Sequence, residues 1–410
     1  MSQSSTKVII AGCGIAGPIL AVFLAKQGYK PVIYERLESL TETGVSLCLQ
    51  VNGLEVLSRI PRLVESIEGG HLQRMLFHSV LPEDEGLLAK VEVPAQLEGS
   101  DGTNEFGLGV QRPTFHRKLV DLAEAHDIPI NWGHQLTRLE QHSDSVTVTF
   151  QNGKIDTASF VVGCDGIHSN TRGCLFGKEP ADFTGLIQIG GLSPKPSGYP
   201  FEKHTMMNVF GNGEHFITYS VSDTHNSWAA TLREPEAKET WRAMDDEAQE
   251  NFRQHSPIAS WGVGVGELIR NAVKVTKYGL YDRPQLKSWH VGRVVLLGDA
   301  AHPTSPHLGQ GANQAFEDVA YLTDLLKKYN PNAQLPSTEL LENIFGEYEQ
   351  VRIPRTAALV AEARKQGDLR VVSGIEECKK RNEMYRALWG DEEVVKKKYA
   401  AMFGPKSGVE

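Results

Sequence analysis

The chain has 410 residues, 40% of them hydrophobic and 23% charged, with a formal net charge of −9. That length exceeds what one hydrophobic core serves, so two domains are expected, and the acidic balance argues against a nucleic-acid or anionic-membrane face. No segment approaches the roughly 18 apolar residues of a membrane span, MSQSSTK leads into a strand without a signal-peptide core and so points to the cytoplasm, and five cysteines without C-x-x-C spacing suggest neither a metal site nor a disulfide framework.

In chain order, Lys7 to Ala11 (KVIIA) reads as a short buried strand, followed by Gly12-Cys13-Gly14-Ile15-Ala16-Gly17. This G-x-G-x-x-G opens a helix whose apolar positions Ile15, Ile19, Leu20, Phe23 and Leu24 keep helical spacing. Pro18 falls in its first turn and Gly28 is its stop. A second strand, Pro31 to Tyr34, ends at Glu35, eighteen residues after Gly17. From there a carboxylate can accept both ribose hydroxyls of an adenosine. The fingerprint leaves FAD and NAD both open, although Glu35 opposes a 2′-phosphate. Arg36 beside it suits either a phosphate contact or an exposed surface position.

Phe160 to Gly163 (FVVG) is another buried strand, followed by C-D-G-x-x-S-x-x-R over Cys164 to Arg172. From about 183 to 232 the pattern becomes hairpin-like: His204 to Phe210 and Glu214 to Val221 flank Gly211-Asn212-Gly213, and Ser227 to Leu232 follows. Val294 to Leu297 (VVLL) is a strand buried on both faces that ends just before Asp299. Beyond it lies a bare Pro/Gly loop and then a helix over Ala312 to Lys328. Gly309 and Gly311 remove the side chains that would keep a ligand from backbone N–H groups and a positive helix end. Glu339 to Phe403 reads as two or three helices broken near Pro354 and Gly374. Lys396 to Lys398 form a solvated face there, and Leu388, Trp389 and Tyr399 point inward or to a dimer contact.

The three motifs, in this order and at these separations, resemble the single-component FAD-dependent aromatic hydroxylases, the class A flavoprotein monooxygenases typified by para-hydroxybenzoate and salicylate hydroxylases. The resemblance runs to about residue 370. It implies an α/β fold with a Rossmann-like FAD-binding domain (1–71, 98–182 and 286–370), an inserted, mainly antiparallel substrate domain (72–97 and 183–285) and a C-terminal helical segment (371–410). FAD would be the cofactor, with NADPH or NADH bound only transiently and needing no second glycine fingerprint. O2 would form a flavin C4a-hydroperoxide that oxygenates an electron-rich ring or alkene. Gly12, Gly14, Ala16 and Gly17 would admit the pyrophosphate, Glu35 would hold the adenosine ribose, and Asp299 the ribityl or pyrophosphate portion. Pro306, Gly309, Gly311, Ala312 and Asn313 would meet the flavin, whose reduced form carries negative charge that a helix N-terminus stabilises. Arg112, opening a helix, resembles an FAD-contacting arginine. The loop Thr43 to Gln50 resembles a stretch beside the ring, with Ser46 where glycine is commoner. Asp165 and Arg172 resemble a motif shared by FAD and NADPH, while Asp165 also suits a simple turn cap.

Alternation places Met206, Asn208 and Phe210 on one face of their strand, and His215, Ile217 and Tyr219 on one face of the next. Met206, Asn208, His215 and Tyr219 are therefore candidate pocket residues. Substitutions at 206 and 219 are expected to probe opposite faces, and core packing of Met206 and Phe210 is an equal alternative. Leu186 to Leu192 holds no arginine for a substrate anion, which favours a larger neutral substrate, a natural-product intermediate, over a benzoate. His302 and His307 read as satisfied hydrogen-bonders rather than acids or bases, and no metal site is expected. The rivals are a redox-neutral cyclase, a halogenase (opposed by the lack of W-x-W-x-I-P) and a non-enzymatic flavin-binding protein. A monomer or homodimer is expected.

Overall fold

The structure, a computed structural model, describes residues 6–42, 44–92, 106–198, 200–201, 204–236, 242–391, 393–395 and 397. Three strands that carry motifs lie side by side. Lys7–Ala11 pairs in parallel with Lys30–Tyr34 on one side and with Phe160–Gly163 on the other, and Phe160–Gly163 pairs in parallel with Val294–Leu296. Ile130–Asn131 extends the sheet in parallel beyond Lys30–Tyr34, and His290–Val291 closes the far edge as a hairpin. The apolar runs follow from burial on both faces. Val8 and Ile10 pack into the core beneath the Ala16–Lys26, Arg112–Ala125 and Gly311–Tyr329 helices. Ile9 and Ala11 pack instead on Val146, Val148 and Phe150 of a three-stranded antiparallel sheet.

Register brings the motifs together. Ala11 lies opposite both Tyr34 and Gly163, and Gly163 lies opposite Leu296, so all four strands end on one edge. Gly12, Glu35, Cys164 and Leu297 therefore emerge side by side, at the carboxyl ends of parallel strands where ligands of open α/β sheets bind.

A second sheet has eight strands, in the order 242–243, 274–282, 182–194, 225–233, 214–220, 205–210, 74–79 and 86–92. It is antiparallel except where Thr205–Phe210 pairs in parallel with Arg74–Ser79. The long Asp182–Pro194 strand sits between Lys274–Asp282 and His225–Arg233, two partners that are remote in sequence and so not legible as a hairpin. One face packs Met207, Val209, Phe216, Trp228 and Ile187 against Ile258, Leu268 and Ile269. A small sheet joins Ser46–Gln50, Gly107–Gln111 and Gly70–Leu72, so the expected loop over 43–50 is a strand from Ser46 onward.

The C-terminal helices depart from expectation. Thr338–Arg370 is continuous through Pro354, although proline removes one helical hydrogen bond. Its flanks are anchored from outside. Arg352 bonds Asp318 Oδ1 and Glu317 Oε2, both at 2.6 Å, and Arg355 Nε bonds Glu317 Oε2 at 2.7 Å. Tertiary ion pairs thus hold the helix across a residue that would end an isolated one. The break falls where Gly374 takes φ +94°, and Ile375–Gly390 follows. Lys396, Lys398, Tyr399 and Phe403 lie outside the described residues. Among the described residues no helix is long and apolar enough to cross a membrane.

Candidate active site

At the strand edge, the three fingerprint glycines have different reasons to be glycine. Gly12, at φ +107°, packs so closely that a Cβ would stand 2.4 Å from the Cys164 carbonyl oxygen, and a Cβ on Gly17 would stand 2.1 Å from the Gly12 oxygen. A Cβ on Gly14 would meet nothing within 4 Å, because that position opens on a cavity. Glu35 is held at the lip: its carboxylate accepts from Cys13 N at 2.7 Å and Leu37 N at 3.0 Å, which leaves further lone pairs for a ligand. Burial, with Glu35 nearby, pushes the Cys13 thiol up to about 12 and makes it inert.

Across the cavity, Asp299 exposes a large surface, yet protein surrounds it on all sides, because that surface faces the cavity. Its carboxylate makes no hydrogen bond among the described residues. Burial raises its pKa, against the opposing pull of His302 and Arg112. Arg112 begins its helix, lines the cavity and crosses Gly44 so closely that a Cβ there would lie 2.6 Å from Arg112 Cδ. Pro306, Gly309, Gly311 and Ala312 line the same wall. The Gly311–Tyr329 helix begins there, with its first N–H groups free of intrahelical acceptors.

Buried polar groups fix this loop. Asp318 Oδ2 accepts from Gly298 N at 2.9 Å and bonds His302 Nε2 at 2.6 Å, while Arg352 Nε holds its other oxygen. His302 thus hydrogen-bonds to Asp318, a partner that the sequence did not name. The Asn313 side chain points away from the cavity and fixes the loop, which leaves only its backbone available to a ligand. Its Oδ1 accepts from Gln50 N at 2.9 Å, and its Nδ2 donates to the Cys48 and Gly309 carbonyls.

The cavity, of about 1110 Å³, continues from these groups to the eight-stranded sheet. Cross-strand register pairs Met206 with Tyr219 and Asn208 with Ile217. All four line the cavity with Gln188 and Gly190, so positions 206 and 219 share one face rather than marking two. His215 is on that face but beyond the cavity's end, with Nε2 3.1 Å from Asn208 Oδ1 and its ring 5.0 Å from that of Phe210. Ser46 Oγ lies 2.6 Å from both the Tyr219 hydroxyl and Ser227 Oγ, which ties the small sheet to the large one. The far wall comes from the C-terminal helices: Gln366, Arg370, Tyr385, Leu388 and Trp389 line it, and Trp389 stacks on Phe77 with centroids 5.0 Å apart. The sequence pattern points Leu388 and Trp389 inward but shows no cavity there. Its one signal is the i, i+4 aromatic spacing of Tyr385 and Trp389.

The family described as "FAD binding domain" matches residues 5–363. The chain belongs to this family. A 3-amino-4-hydroxybenzoate 2-monooxygenase of Streptomyces platensis is 28% identical over 90% of this chain and 89% of its own length. A 6-hydroxynicotinate 3-monooxygenase of Pseudomonas fluorescens is 29% identical over 80% of this chain and 84% of its own. Among solved structures, Klebsiella pneumoniae HpxO complexed with FAD and uric acid superposes with TM-score 0.82 at 23% identity, covering 98% of both chains, and shares the fold. The protein is an FAD-dependent monooxygenase that uses NAD(P)H and O2 on a small molecule.

Within this FAD-binding family member, the remaining expected positions divide. Ala16 and Asp165 line the cavity, and Arg36 does so at its exposed rim; Gly17 is not among the lining residues. Asp165 also caps the following turn, accepting from Thr171 N at 2.9 Å and Thr171 Oγ1 at 3.0 Å. Arg172 does not line the cavity. It donates to the Ala301 carbonyl at 3.2 Å and ties the second motif to the third.

Proposed function

We propose that the cavity binds FAD along the strand edge and presents its ring to an aromatic substrate beneath the eight-stranded sheet, where the ring is hydroxylated. The observation that carries this reading is continuity: one cavity runs from Gly14 and Glu35, past Asp299 and Gly311, to Met206 and Tyr219. The residues present fit the cofactor. Gly14 leaves open the space that a diphosphate needs, and Glu35 has lone pairs for ribose hydroxyls. Among the described residues no donor reaches the Asp299 carboxylate, which suits it to a ribityl hydroxyl. Arg112 supplies positive charge beside them, and the Gly311 helix end supplies aligned N–H groups for the ring's pyrimidine edge.

When bound, FAD supplies the redox chemistry that activates O2. The protein's part is to bind, orient and keep water out. Residues 6–71, 106–182 and 286–370 form the cofactor body, 72–92 and 183–285 the substrate body, and the C-terminal helices close the far wall. The relatives' names give hydroxylated, carboxylated rings, benzoate and nicotinate, which supports an electron-rich aromatic substrate here. NADPH-driven turnover under 18O2 tests the reading: 18O in a hydroxylated product supports it, and product free of 18O overturns it.

A further inference from the structure

Arg370 ends the long C-terminal helix, lines the far wall of the cavity and is enclosed by protein. Among the described residues no carboxylate pairs with it. Its neighbours Asp368 and Arg364 turn outward, to Arg233 at 2.7 Å and Asp282 at 3.4 Å respectively. Glu362, two turns earlier on the same wall, accepts from Gln366 Nε2 at 3.0 Å and forms no ion pair with Arg370. The protein contact that Arg370 does make is with His307, whose Nδ1 lies 3.2 Å from Arg370 Nη1. A guanidinium only donates, so Nδ1 accepts, the proton sits on Nε2 and the ring is neutral. His307 Nε2 is packed on Gly367, where a Cβ would stand 2.6 Å away. His307 therefore orients Arg370 without neutralising it. Among the described residues Arg370 Nε, which is buried, has no hydrogen-bond partner. An enclosed cation without a counter-ion is costly unless a ligand supplies the anion.

The surroundings define that ligand. Phe77, Tyr385, Trp389, Met206 and Ile217 offer aromatic and apolar surface for a flat ring. A planar guanidinium fork matches a carboxylate. We propose that Arg370 is the specificity-determining residue for an aromatic carboxylic acid, whose carboxylate it binds at the cavity's far end while the ring lies toward the cofactor. The arginine missing between Leu186 and Leu192 is thus supplied by a helix more than 170 residues later. This inference rests on the hydroxylation reading for the orientation of the ring.

The test is a binding titration of the FAD-loaded enzyme, followed by flavin absorbance and calorimetry, with 3-hydroxybenzoate, 4-hydroxybenzoate and 6-hydroxynicotinate against their primary amides. A charge-assisted hydrogen bond makes at least one acid bind tighter than its amide by about 10-fold or more. Arg370→Gln brings that ratio to about 1 with FAD content unchanged, and Arg370→Lys retains part of the preference because it keeps charge without the fork. Amides that all bind as well as their acids, no binding by any of the three acids, or an acid preference that survives in Arg370→Gln overturns the proposal. Should Arg370→Gln fail to fold, a wild-type acid preference in Arg370→Lys overturns it equally. Isotope incorporation is scored separately: 18O entering a neutral phenol with no acid preference sinks the Arg370 assignment alone, and acid binding without 18O in any product sinks the hydroxylation reading alone.

Discussion

Gly14 and Gly17 differ by three positions in one fingerprint, and substituting each with alanine should have opposite consequences. Gly14 has an ordinary negative φ, and its added Cβ meets no protein atom within 4 Å. Gly14→Ala therefore leaves the apo-protein's stability unchanged or raises it by about 0.4–1 kcal/mol through the unfolded chain's lost freedom. The methyl projects instead into the space assigned to the diphosphate. Displacing one charge-assisted hydrogen bond there costs about 1.5–3 kcal/mol, a loss of FAD affinity of about 10- to 150-fold. In Gly17→Ala the methyl stands 2.1 Å from the Gly12 oxygen, so the turn or the helix must move. Overpacking of that kind costs about 1–3 kcal/mol in the apo-protein itself. The assays are thermal unfolding of FAD-stripped protein by circular dichroism and FAD titration by fluorescence quenching. Wild-type FAD affinity in Gly14→Ala, or a loss of apo stability matching that of Gly17→Ala, would refute the assignment of the Gly14 space to cofactor.

Met206→Ala and Tyr219→Ala, paired across one face, should both raise H2O2 released per NADPH consumed, by about 2-fold or more, by admitting water. Met207→Ala, buried on the opposite face, should cost about 2–5 kcal/mol of stability and leave that ratio alone. Asp299→Ala should lower FAD content, with one buried hydrogen bond lost at about 1–3 kcal/mol. In the apo-protein the sign reverses. Asp299's folded pKa is raised by burial, so the folded state holds the proton more tightly; its contribution is greatest below the unfolded carboxylate value and declines as pH rises through the folded one. Asp299→Asn should remove that decline, and an unaltered stability–pH slope above the ordinary carboxylate range would contradict it. Arg352→Ala should cost about 3–5 kcal/mol in chemical denaturation, because it removes the fully buried cation that Glu317 and Asp318 share.

The three motifs at the strand edge were legible in sequence because their signals are local. A buried strand, a turn that must be glycine, and a carboxylate at the next strand's end occupy a few adjacent residues each. Parallel pairing of Lys7–Ala11, Phe160–Gly163 and Val294–Leu296 then brings three such groups to one edge. Local pattern also located the strands at 205–210 and 214–220, since two-residue alternation is a property of the strand itself. What it left open was the relation between strands. Alternation alone does not say that Met206 faces the same way as Tyr219; the hydrogen-bond register decides that. The same limit covers the Asn313 side chain, whose amide is held by Gln50, Cys48 and Gly309, partners that local pattern does not name. Pro354 reads as a helix break until Glu317 and Asp318, more than thirty residues earlier, anchor its flanks. Nothing local to Arg370 marks it, and tertiary packing places it on the cavity wall. Sequence alone determined the fold class and the three local motifs, because short-range sterics and backbone geometry encode them. Which side chains line the cavity was decided only by tertiary structure, because facing and pairing depend on register and on partners outside the local segment, as far away as Gln50 is from Asn313.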